Sequence, residues 1–221
     1  MKGNFTFRLK YEKAENARYI SHLDFVRVLN RTIRRSGLPV TYTEGFNPHP
    51  VMVVALPISV GVTGEDEYID IDFDENPGED VVLKVFKETF PEGIEILAAK
   101  LVTGDMPSFK TLDSAEYICE IETEGTPEVD ISAFLAQDEI IVTKKTKSSE
   151  KEVDIKNDIK NLTLLEKSEN YLKFSVKLPA GNTYNLKPEL VFGALSEFSG
   201  FCLSFIKTHR TALFSGDKRF I

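Results

Sequence analysis

Short runs of alternating apolar and polar residues constrain this fold more than any other feature of the chain. From Tyr68 to Phe73, Ile69, Ile71 and Phe73 fall on one side and Tyr68, Asp70 and Asp72 on the other, the period of a half-buried strand. Phe5, Phe7, Leu9 and Tyr11 alternate in the same way. Between these runs lies a stretch of helical spacing. Ser21 precedes it with Asp24 three residues on, a variant of the capping box with Asp in place of Glu. Leu23, Val26, Ile33 and one of Leu29 or Asn30 are expected on the inner face. Gly37 marks the stop, followed by Pro39. Strands are expected at 40–43, 51–55 and 94–102, and a short helix at 80–90 with Val81, Val82, Val85 and Phe86 inward. Stripped of one strand, the order is that of a split βαβ, or ferredoxin-like, unit.

A second round follows a segment of linker composition, GDMPSFKTLDS. Strands are expected at 117–121, 140–143, 153–155, 171–178 and 203–206, with a lysine-rich loop, KKTKSSEK, between the second and third. Short helices are expected at 129–135 and around Leu190 to Phe198, the latter with Pro188 in its first turn and Gly200 at its stop. Residues 156–168 fit helix and strand equally. The expected fold class is therefore α+β, two tandem ferredoxin-like sandwiches. The boundaries are 1–104, a linker at 105–114, and 115–221.

A chain of 221 residues is long enough for that arrangement to bury a sizeable core. Its longest apolar run, Val51 to Val62, is too short to span a bilayer and contains Pro57. The first residues carry no signal-peptide pattern, and Cys119 and Cys202 read as buried thiols rather than a disulfide. A cytoplasmic location without membrane contact is the expectation. Formal charge is −8, unevenly spread: residues 1–60 hold 9 basic and 4 acidic side chains, 61–140 hold 4 and 22, and 141–221 hold 14 and 9. Such a balance argues against a nonspecific polyanion binder but permits a local basic patch, since screening confines each patch to about 8–10 Å.

Four groups of residues carry possible chemistry. Arg27, Arg31, Arg34 and Arg35 recur at one-turn spacing and form a stripe. Guanidinium groups at that spacing suit phosphate; the alternative is a solvated helix face. The loop Gly45-Phe46-Asn47-Pro48-His49-Pro50 holds Asn47 and His49 in extended backbone, because each precedes a proline. It presents them rigidly, either for binding or as a stiff strand connection. His22 lies in the first turn of the arginine helix, and His209 is expected to end the last strand beside Arg210. Two of the three histidines and an arginine around a phosphodiester would make a metal-free RNA-cleaving site, with Arg210, Asn47 and His49 as further phosphate-binding candidates. Asp70, Asp72 and Asp74 imitate a calcium loop but lack its Gly and closing Glu, so a solvated strand face is expected and no metal. No Walker loop, G-x-G-x-x-G, zinc cluster or nucleophile elbow is present. No cofactor of its own is expected.

The segment RYISHLDFVRVLNRTIRRSGLPVTYTEGFNPHP, followed by ALPISVGV, resembles the radical SAM-linked protein family, DUF2344. KEVDIKNDIKNL, NLKPELVFGAL and the closing HRTALF fit the same family. The resemblance implies a partner, a radical SAM enzyme with a cobalamin-binding domain. The chain has no C-x-x-x-C-x-x-C motif, so radical chemistry would reside in that partner. It implies an accessory protein that binds or presents a substrate such as structured RNA, and names no catalytic residue. The layout is also similar to Cas6 and RAMP RNA-processing proteins, which implies as an alternative a metal-independent endoribonuclease; a third reading is a pure protein-protein adaptor that docks through the acidic middle of the chain.

Overall fold

A computed structural model describes residues 4–145 and 150–220 of the chain. It divides into two compact units, 1–111 and 112–221.

In the first unit, β1 (Phe5–Lys13) leads through a 3-10 turn into α1 (His22–Ser36). β2 (Met52–Val54), β3 (Val62–Phe73), α2 (Glu79–Thr89) and β4 (Ile94–Leu101) follow. The strands lie in the order β4-β1-β3-β2, every neighbour antiparallel. That is the ferredoxin-like sheet expected from the sequence. One sheet face packs under the two helices. Phe7, Leu9, Ile69, Ile71 and Phe73 from the strands meet Phe25, Leu29 and Ile33 of α1, and Val82 and Phe86 of α2. The expected extra strand at 40–43 is reduced to single bridges, Val40 with Phe73 and Tyr42 with Pro50.

The inner face of α1 is rotated from the expected one. Phe25, Leu29, Thr32 and Ile33 are buried, whereas Leu23 is 69% exposed and Val26 half-buried. The Phe25 ring takes the place at the first turn by stacking on Tyr11, with centroids 5.3 Å apart. Likewise Val81 of α2 faces outward.

The acidic face of β3 is not the solvated face the alternation suggests. Asp66 on that face is fully buried, and Asp72 nearly so. Arg8 grips both oxygens of Asp70 at 2.8 Å. It also donates to the Pro107 carbonyl at 2.8 Å and lies 4.4 Å from the centre of the Phe109 ring. Lys10 pairs with Asp66 at 2.6 Å. Asp72 and Asp74 accept from Thr6 and Thr41, each at 2.6 Å. The segment expected to be a linker thus folds back onto the first unit through Pro107 and Phe109.

The second unit contains β5 (Ser114–Thr123), α3 (Ile131–Ala136), the hairpin β6 (Ile141–Lys145) and β7 (Glu150–Asp154), and β8 (Lys160–Ser168). β9 (Tyr171–Pro179), α4 (Pro188–Ser199), β10 (Leu203–Ser215) and the two-residue β11 (Lys218–Arg219) complete it. Its sheet runs β10-β5-β9-β8, again antiparallel throughout. The β6–β7 hairpin is an insertion between α3 and β8. The lysine-rich loop within it lies partly outside the described residues. The ambiguous stretch resolves as strand β8. Cys119 is buried, but Cys202 is exposed, contrary to expectation.

Candidate functional site: a groove between an edge strand and the arginine helix

α1 begins where the sequence places it. Ser21 Oγ accepts from the Asp24 amide at 3.2 Å, and its hydroxyl donates to the Asp24 carboxylate at 2.7 Å. The Asp24 carboxyl is held below its ordinary value, first by Ser21 and then by Arg27. At the far end Gly37 adopts φ 66°, the left-handed stop that a side chain resists.

The entry to the helix is fastened to the loop after β2. Arg18 Nε donates to the Gly61 carbonyl at 2.6 Å, and the Gly61 amide returns a bond to the Arg18 carbonyl at 3.0 Å. The buried Lys13 ammonium donates to the Arg18 and Ile20 carbonyls at 3.2 and 3.3 Å. These ties hold α1 beside β2 and leave an open groove of about 560 Å³ between them. His22, Val26 and Asn30, one turn apart, form the helix wall. Met52 to Val54 form the other, with His49 and Pro50 at one end and Pro57 at the other.

The two histidines share the groove but stand at opposite ends of it. His22 also lines a small crevice with Pro57 and Ile58, whereas His49 adjoins Pro50. The three residues of β2 alone span about 10 Å between those ends. His49 is held by its loop. Its amide donates to Thr43 Oγ1 at 3.2 Å, its Nδ1 lies 3.2 Å from that oxygen, and the Asn47 carbonyl is 3.3 Å away. The Thr43 hydroxyl can donate to or accept from Nδ1, whereas the Asn47 carbonyl only accepts. Asn47 itself is exposed on the same loop, and Phe46 is fully exposed, at 105%. Exposure of a phenylalanine at this loop was not anticipated; its place between Gly45 and two prolines was the available signal.

The arginine stripe separates into different roles. Arg27 pairs with Asp24 at 2.7 Å, both well exposed. Arg35 turns toward α2 and donates to the Thr89 carbonyl at 3.0 Å, closing that helix's C-terminus. Arg31 and Arg34 are exposed and have no hydrogen-bond or ion-pair partner among the described residues. Arg34 lies one turn beyond Asn30, on the flank that meets the groove. Of the remaining candidates, His209 and Arg210 lie within β10 rather than at its end. Arg210 is buried, at 4% exposure, and so is not a surface phosphate contact. Both belong to the second unit.

Among the described residues no group of His, Cys, Asp or Glu is placed to hold a metal ion. No described helix is long and apolar enough to cross a membrane.

The fold defines a tandem ferredoxin-like α+β protein, with an open groove between α1 and β2 in its first unit. The chain belongs to the DUF2344 family, described as "Uncharacterized protein conserved in bacteria", whose profile matches residues 6–188. No curated protein sequence matches it. Among solved structures it is similar to a chain in the crystal structure of a Cbf5-Nop10-Gar1 complex, with TM-score 0.53 and 12% identity. The similarity covers 96% of this chain and 50% of that one, so this chain spans about half the length of its structural relative. At that identity the likeness is one of fold.

Proposed function

We propose that the protein is a cytoplasmic, non-catalytic accessory module of a cobalamin-binding radical SAM enzyme, and that it binds structured RNA as the substrate it presents. The link to the radical SAM enzyme rests on the family resemblance alone. The RNA reading rests on one observation. Arg31 and Arg34 stand exposed and unpartnered on α1, in a chain whose net charge is −8. Much of the acidic charge of β3 is taken up internally by Arg8, Lys10 and threonine hydroxyls, so it does not neutralise this ridge. Phe46 adds an exposed ring on the neighbouring loop, on which an unpaired base can stack.

The separation of His22 and His49 favours binding over cleavage, since acid–base cleavage needs two groups at one phosphate. The reading is tested by titrating the purified protein with a tRNA pool at increasing salt, alongside copurification with the radical SAM enzyme. Arg31→Glu with Arg34→Glu is expected to abolish RNA binding. RNA binding that survives the double change, or no binding at low salt, overturns it.

A further inference from the structure

The groove beside the arginine ridge has a feature that phosphate binding does not use: one wall is an open strand edge. β2 pairs with β3 alone. The bonds at its ends fix which way its main chain points. The Val51 carbonyl accepts from the Asp72 amide at 3.0 Å, and the Ala55 amide donates to the Tyr68 carbonyl at 2.9 Å. Main-chain direction alternates along an antiparallel strand, so Val53, between them, also bonds toward β3. Met52 and Val54 therefore turn their N–H and C=O groups away from β3, to the free edge. Neither has any other partner among the described residues. Exposed edges of this kind invite a further strand.

Natural edges are blunted by short length, proline, charge, bulges or cover; β2, at three residues, offers one short pairing segment. This edge carries no charged side chain, pairs in unbroken register over Met52 to Val54, and faces a groove rather than a covering element. Pro50 and Pro57 bound it. The opposite wall, His22, Val26 and Asn30, is apolar at its middle. A strand edge beside a helix, with a groove between, is the geometry that accepts an extended peptide by strand addition.

The charge around the groove narrows the occupant. No carboxylate lines it. An imidazole stands at each end, His22 and His49, and Arg34 extends the Asn30 flank. We infer that the groove binds an extended peptide segment of a partner protein as an added strand on β2, apolar at alternate positions and acidic at its ends. This inference goes beyond the RNA reading and rests on the β2 edge and the groove walls, sharing only Arg34 with the ridge: the ridge takes the nucleic acid, the groove the peptide.

The full chain is panned against a phage library displaying random dodecapeptides, and enriched peptides are synthesised and titrated. Enrichment of alternating apolar residues flanked by Asp or Glu is expected, with slowed amide exchange at Met52 and Val54 on binding. Met52→Pro removes an outward N–H and leaves the Val53 bonds to β3 intact, as edge strands tolerate. It is expected to weaken the peptides about tenfold or more, the scale of a lost buried hydrogen bond. Val26→Glu, in the helix wall, does the same by charge and serves if Met52→Pro does not fold. Arg31→Glu, which weakens RNA binding, leaves peptide affinity within about twofold. Absence of enrichment, or peptides indifferent to both groove variants, overturns the inference. So does single-stranded RNA, rather than peptide, slowing exchange at Met52 and Val54. Loss of RNA binding alone in the Arg31 variant would leave the groove standing, and the reverse holds for Val26→Glu.

Discussion

At the scale of single residues, the first unit depends on charges that the sequence hides. Arg8 is 4% exposed, makes a two-point bond to Asp70 and covers Phe109. Breaking a buried pair strands the remaining charge, so Arg8→Met is expected to destabilise the protein by about 3 kcal/mol. Urea unfolding measures it; a loss below about 1 kcal/mol would place the pair among ordinary surface bridges. Alternation in Tyr68 to Phe73 correctly sorts the two faces of β3. It cannot say that the polar face is covered, because the residues that cover it, Arg8 and Phe109, lie far off in sequence. Cys119 offers a second check at this scale. Burial pushes its thiol up to about 12, while Cys202 is exposed. With a thiol reagent at pH 8, one cysteine is expected to react at once and Cys119 only on unfolding. Two fast-reacting thiols in the native protein would contradict the burial of β5.

The element that matters most is α1, since it supplies both the ridge and a groove wall. Its ends were legible: Ser21 and Asp24 at the start, Gly37 at the stop. Its rotation was not. Leu23 and Phe25 both fit a helical apolar stripe, and only the Tyr11 ring on β1 decides that Phe25 goes inward. That choice turns Val26 and Asn30 to the groove and divides the arginines. Loss of the cap, Ser21→Ala, is expected to destabilise the protein by about 1 kcal/mol. The same box gives a pH signature. Asp24's carboxyl is depressed in the folded state below its ordinary 3.8. Its contribution is therefore present above pH 3.8 and lost as pH falls through the lower folded value. Fraying of the first turn of α1, followed by amide exchange at Asp24 and Phe25, should increase on acidification below that point. It should increase less in Ser21→Ala, where the carboxylate has lost its hydroxyl donor and keeps only Arg27.

Across the whole molecule, both units place four strands in one order, yet the helices and connections around those strands differ. In the second unit the connection from α3 to β8 carries the β6–β7 hairpin, and β6 packs on α4. The α3 helix is six residues long against fifteen for α1. Neither a long helix wall nor a stripe of arginines exists there to make a second ridge. The alternating runs announced two similar rounds, but the inserted hairpin defeats a local reading, because its strands pair with each other and not with the sheet. Under the proposed RNA reading, asymmetry of this kind would concentrate binding on one face of one unit, within a chain of net charge −8. The consequence is a particular salt dependence. A protein that meets RNA through a broad basic surface releases many counterions and shows a steep slope. Two or three arginines release few: with Arg31, Arg34 and Arg27 engaged, the slope of log K against log salt should be about −2 to −3. Removing Arg31 alone should flatten it by about one unit of slope at constant pH. Arg35→Gln, which loses only its bond to the end of α2, should leave the slope unchanged and lower thermal stability slightly. A slope much steeper than this would mean that RNA is held by a surface other than the ridge on α1.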